Sequence, residues 1–193
     1  MIAQARFCLR DSFPGASGVM LGRAVAMTEL SHSDLHHLRA AEGWLELGNA
    51  REAQAELDCL AAAVQGRVEV LAVRWGILAK FKSWEECVMV AARIIELAPD
   101  EVLGWLHRSY ALHELKRTAE ARDLLLPAVK RFPKMETIAY NLACYECQLG
   151  DLVSARSWLH RAMKLHDPSE LRSRALEDAD LEPLWDEIRA LPT

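Results

Sequence analysis

Helix-breaking residues are scarce in this chain: nine glycines and seven prolines in 193 residues. With Ala and Leu dominant among the rest, the composition favours helix. Long apolar runs are missing as well, and none approaches the roughly 18 residues of a membrane span. Residues 1–26 lack the uninterrupted apolar centre of a secretory signal, because Arg6, Arg10, Asp11, Pro14 and Arg23 are scattered through them. A flexible leader over residues 1–31 is the expectation, with Met27 a candidate natural start. There is no basic surplus. The net charge of −5 leaves nothing to neutralise phosphates, which argues against a nucleic-acid partner. Acid is concentrated at the end, where seven acidic and three basic residues follow from Ser169 onward. The five cysteines are odd in number and lie in segments that read as helices. A disulfide framework needs even numbers and loop-rich spacing, so a reducing compartment, the cytoplasm, is expected.

Motifs that carry chemistry are absent too. There is no Gly-rich phosphate loop, nucleophile elbow or HExxH helix. Carboxylates fall beside Arg or Lys at exposed helical spacing, as in Glu52 and Glu56 with Arg51, or Glu114 with Lys116 and Arg117, and read as solvated faces. Cys144 and Cys147 share a helix face that His113 can approach, and His32 and His36 lie four apart. A structural zinc site wants four ligands, with its paired cysteines in a turn. Small cysteines in a close-packed face are the ordinary explanation. Neither an enzyme, a metal nor a cofactor is expected.

What the chain does have is a period. Leu47, Phe81, Leu115 and Leu149 are spaced by 34 residues, and so are Ala53, Cys87, Ala121 and Ala155. Pro99 and Pro133 keep the same interval, and Pro168 misses it by one. A fixed period of this size means stacked helix-turn-helix units. Four units are expected at 34–67, 68–101, 102–135 and 136–168, each with two helical stretches of some 14 residues. Gly48-Asn49 and Gly150-Asp151 place a helix-ending Gly before a capping residue. Ser83 with Glu86 reads as a capping box, and Thr118 is expected to cap in the same way. Pro99 and Pro133 push the preceding residue out of helix, and Asp100 then caps the next helix. Apolar stripes run through each helix, among them Trp105, Leu112, Ala121, Leu125 and Ala128, then Leu142, Ala155, Leu159 and Ala162. Trp44, Trp105 and Trp158 fall at inter-helix positions, where core packing is expected. Asp167-Pro168-Ser169-Glu170 is a helix start. Residues 169–193 are expected to cap the array, or else to fold their acid into its groove.

These positions resemble the tetratricopeptide repeat family, whose unit carries Leu-Gly before the inner turn, a small residue early in the second helix and a closing Pro. The likeness covers residues 34–168. It is fullest in the fourth unit, with Leu142, Ala143, Leu149, Gly150, Ala155, Leu159 and Ala162, and in the first, with Ala41, Trp44, Leu47, Gly48, Ala53 and Leu57. Units two and three depart from the family at Lys82 and Lys116, which replace the turn Gly. They depart also at Arg74, Arg108 and Trp75. The resemblance implies an all-α fold, a right-handed superhelical solenoid of antiparallel helix pairs.

It also implies protein binding on the concave face made by the first helix of each pair. Mapped onto this chain, that face presents Arg39 and Glu42, then Val73, then His107, Tyr110 and His113, then Tyr140, Asn141 and Cys144. Tyr and His offer apolar area with a polar tip, which suits a peptide groove. A partner's peptide or helix is the expected ligand, without nucleic acid or membrane. Some family members clamp a C-terminal carboxylate with several cations. Here Arg39, Lys80 and Asn141 stand among Glu42, Glu46 and Glu114, which disfavours that ligand. Two alternatives are a chaperone-like helper subunit and self-association through Trp185 and Ile188 of the C-terminal cap.

Overall fold

One turn, closed the same way at four places, organises this chain. The computed structural model describes residues 29–190, so the expected leader lies outside the described residues except for its last three positions. Among the described residues every regular element is helical. In chain order they are α1 (His32–Glu46), α2 (Ala50–Asp58), a 3-10 turn (Ala62–Val64), α3 (Val68–Lys80), α4 (Trp84–Leu97), α5 (Val102–Glu114), α6 (Thr118–Leu125), α7 (Ala128–Arg131), α8 (Glu136–Gln148), α9 (Leu152–Leu165), α10 (Pro168–Glu177), a second 3-10 turn (Ala179–Leu184) and α11 (Trp185–Ala190).

Gly48, Lys82, Lys116 and Gly150 all have positive φ, at 80°, 59°, 63° and 86°. At each one, the N–H of the left-handed residue and the N–H after it reach back to the ending helix. Gly48 and Asn49 donate to Leu45 and Trp44, Lys82 and Ser83 to Ala79 and Leu78, Lys116 and Arg117 to His113 and Leu112, and Gly150 and Asp151 to Cys147 and Glu146. This double closure satisfies carbonyls that a helix end otherwise leaves bare. Two of the four left-handed sites are lysines, a conformation L-residues adopt only at a cost of about 1–2 kcal/mol. Lys82 and Lys116 thus depart from the repeat pattern in side chain but not in backbone.

Helix starts follow the sequence in part. Asn49 accepts from the Glu52 N–H and Asp151 from the Ser154 N–H, while Asp167 takes the N–H groups of Ser169 and Glu170 with Pro168 at the first helical position. Ser31 and Asp34 form a reciprocal capping box on α1, a pair the sequence reading passed over. Ser83 stands before α4, but its side chain makes no cap hydrogen bond. Thr118 lies inside α6 rather than before it, and its hydroxyl is engaged by His113. Uniform 14-residue helices also fail. Helix α2 stops after nine residues, and Gln65 satisfies the carbonyls of Leu57 and Leu60 beyond its end. Pro127, which has no N–H to give, separates α6 from α7.

The chain divides within α5 into two compact units, one reaching Ala111 and the other starting at Leu112. The core of the first unit gathers Leu38, Ala41, Leu45, Ala53, Leu57, Val70, Val73 and Ile77 from α1, α2 and α3. Burying a side chain such as Leu57 or Ile77 contributes about 1.5–3 kcal/mol. Trp75 is also buried there, so the indole fully enclosed in this unit is not one of those expected. Trp44 instead is 37% exposed. In the second unit α8 is buried along its whole middle, from Ile138 to Cys147. It packs against α9, α6 and the 3-10 turn Ala179–Leu184. Leu171, Leu181, Leu184 and Ile188 close the tail onto this core. The in-step small residues Ala53, Cys87, Ala121 and Ala155 have no exposed surface, as a close helix crossing requires.

Candidate functional site

In the first unit the expected ligand face is only partly open. Arg39 is exposed and Glu42 half-buried. Burial raises the Glu42 carboxyl above its ordinary range, Glu46 adds to the rise, and Arg39 opposes it. Val73 has no exposed surface and belongs to the core. His107 is 1% exposed and lies flat against Trp75, with ring centroids 3.8 Å apart and planes 9° from parallel. Burial lowers its pKa to about 3, so the ring is neutral at ordinary pH. Val73 and His107 therefore contribute packing and not ligand contacts. The reason is Trp75: the repeat pattern has a small residue at its position, and its indole takes up the His107 ring. Tyr110 is half-buried and meets Trp75 and Trp84 edge-on, at 6.3 and 5.8 Å.

The second unit brings three expected residues together, and the acidic tail lies on them. Tyr140, Cys144 and Gln148 recur every four residues and so share one face of α8. The Tyr140 hydroxyl donates to Asp178 Oδ2 at 2.8 Å, and the Cys144 thiol reaches the same oxygen at 3.6 Å. Gln148 donates to the backbone carbonyl of Asp180 at 3.1 Å. At the end of α5, His113 Nε2 stands 3.0 Å from Asp180 Oδ2, and its Nδ1 stands 3.0 Å from the Thr118 hydroxyl. A carboxylate only accepts, so Nε2 carries the proton and, in the neutral ring, Nδ1 takes the Thr118 hydroxyl. The Arg174 guanidinium covers the Tyr140 ring, 3.7 Å from its centroid. Asn141 is buried here as well, and its side-chain nitrogen has no hydrogen-bond partner.

Electrostatics make these side chains donors rather than nucleophiles. Burial pushes the Cys144 thiol well up, and Asp178 and Asp180 push it further. Burial likewise raises the Tyr140 phenol, with Cys144 and Asp178 adding to the rise. Both groups keep their protons and offer them to the tail. No group of three or more His, Cys, Asp or Glu suited to a metal ion occurs among the described residues. Arg174 carried no expectation from sequence and Thr118 only that of a helix cap, and only the acidic surplus after Ser169 hinted that the tail would meet donors.

The apolar residues expected to drive self-association are used internally. Ile188 is 2% exposed, and the Trp185 indole donates to the Ala175 carbonyl at 3.0 Å. Arg156 and Glu187 pair in a bidentate contact between α9 and α11 at 2.5 and 2.6 Å. No helix among the described residues is long and apolar enough to cross a membrane.

No protein-family model matches this chain, and no curated protein matches it. Solved structures do. A thermophilic TPR protein of Thermus thermophilus, TTC0263, superposes with a TM-score of 0.66 at 20% identity, covering 81% of this chain and 87% of that one. MamA from Desulfovibrio magneticus RS-1 gives a TM-score of 0.65 at 17% identity, over 83% of this chain and 93% of that one. MamA from AMB-1 gives 0.59 at 15% identity, over 84% and 100%. Likeness at such low identity speaks to architecture alone, and that architecture is the helical-repeat solenoid of the tetratricopeptide-repeat type.

Proposed function

We propose that this protein is an interaction adaptor that holds an extended or helical segment of another protein on its first helices, with Tyr140 as the candidate anchor of the second unit and Tyr110 as that of the first. It rests on one observation: Tyr140, Cys144, Gln148 and His113 already turn four donors onto a single short stretch of chain. A surface able to satisfy a peptide's carboxylates and carbonyls side by side is built for recognition, not turnover. Neither catalysis nor a cofactor is assigned. The cytoplasm is the proposed compartment, because Cys59, Cys87, Cys144 and Cys147 are free thiols.

Affinity capture from lysate, with wild type beside the Tyr110→Ala, Tyr140→Ala double variant, tests the assignment. Partners retained by wild type are expected to be lost by the variant. If a variant that keeps its helical circular dichroism captures the same partners, the anchors lie elsewhere.

A further inference from the structure

The segment that follows α10 engages α8 as a bound peptide would. Asp178 opens the 3-10 turn by accepting the Asp180 N–H on Oδ1 at 3.0 Å, and it gives Oδ2 to Tyr140 and Cys144. Two residues on, Asp180 gives its carboxylate to His113 and its carbonyl to Gln148. Leu181 and Leu184 are buried to 0% and 1% exposure. Polar recognition thus concentrates on two aspartates one residue apart, and apolar recognition on leucines one and four residues beyond the second. Each of these polar partners outside the turn is a side chain from α5 or α8, and toward them Asp178 and Asp180 supply acceptors only.

We propose that residues 178–184 are the resident ligand of the α8 face, and that the partner is a protein segment of the same chemistry. It would carry an Asp-x-Asp pair followed directly by a leucine, and it would displace the tail. The inference builds on the adaptor function proposed above and adds the partner's chemistry and a self-occluded resting state. Carboxylates fit this face for a physical reason. Four donors converge on it, and the Arg174 cation sits over the Tyr140 ring beside them. A segment without side-chain acceptors at these two positions would leave Tyr140, Cys144 and His113 unanswered, and a basic one would bring cation to cation. Because the tail is tethered, a free partner competes against a high effective concentration. Its apparent affinity falls by the fraction of molecules in which the face is open.

The test uses the full chain and a labelled synthetic peptide copying residues 176–190. Asp178→Ala with Asp180→Ala weakens the tail's hold while leaving the α8 face intact. Fluorescence anisotropy should show the peptide binding this variant at least about tenfold more tightly than wild type. A peptide carrying the same two alanines should not bind, and adding Tyr140→Phe and His113→Gln to the protein should abolish binding. If the alanine pair does not fold, Asp178→Asn with Asp180→Asn, which keeps side-chain shape, takes its place. Equal binding of both peptides, or no binding to a folded variant whose residues 179–188 have lost amide-exchange protection, overturns the proposal. So does formation of a dimer by light scattering in place of peptide binding, because the face then serves a second copy. None of these results touches the capture of partners by wild type, which judges the adaptor function separately.

Discussion

His107 should make the first unit acid-sensitive in a range where carboxylates are still ionised. An unfolded histidine titrates near ~6.5, whereas the buried ring beside Trp75 resists its proton down to about 3. Between those values the unfolded chain binds one proton more than the folded one, so lowering the pH favours unfolding. The contribution is complete above ~6.5 and disappears as pH falls toward the folded value. From pH 7 to pH 5 the loss works out at about 2 kcal/mol, a sizeable part of ordinary domain stability. Asp34, Glu56, Asp151, Asp167 and Glu187 have lowered values, so their contributions fade only as pH drops below ~4, and Glu42 shifts the other way. All six are present in both proteins of the comparison and cancel. The perturbation is His107→Phe, which keeps a flat ring against Trp75 and removes the titration. Urea unfolding at pH 7, 6 and 5, followed by circular dichroism, should show wild type losing about 2 kcal/mol more than the variant. Parallel slopes for the two proteins would refute the buried neutral imidazole.

The left-handed lysines offer a second test. Lys82→Gly with Lys116→Gly should stabilise by about 0.5–1 kcal/mol per site, the relief of an L-residue at positive φ less the entropy of glycine in the unfolded chain. A lower urea midpoint for the pair would contradict the strain assignment. Ala155→Leu, at a position with no exposed surface, should cost about 1–3 kcal/mol by overpacking, read as a lower melting temperature. Gly104→Ala should destabilise more than Gly76→Ala. A Cβ at 104 would stand 2.8 Å from Ile95 Cγ1 and 3.0 Å from the Ile95 backbone nitrogen, whereas at 76 it meets only the end of the Leu45 side chain. Equal unfolding free energies would remove that distinction.

Much of the fold was legible because the period and the turn chemistry report the same thing. Gly48 and Gly150 announce left-handed helix ends through their lack of a Cβ, and the in-step alanines announce close crossings. What escaped depends on tertiary context. Nothing local to Ser83 says that its hydroxyl would leave the N-cap unused. Trp75 could be flagged as oversized for its slot, but only packing decides that it turns inward and draws His107 from the ligand face into the core. On the candidate site, residue identity placed Tyr140, Cys144 and His113 together. That their donors would be met by Asp178 and Asp180 is a contact across more than thirty residues, invisible to helical spacing. An acidic excess says that a tail seeks donors, not where it finds them.

The turns at residues 48, 82, 116 and 150 carry one further consequence. A gene segment cut after one of these codons and rejoined after another would meet a main chain already in the required left-handed bend. Chain length can therefore grow or shrink in whole blocks without inventing a new junction, and the burden of each such event falls on the side chains that become neighbours.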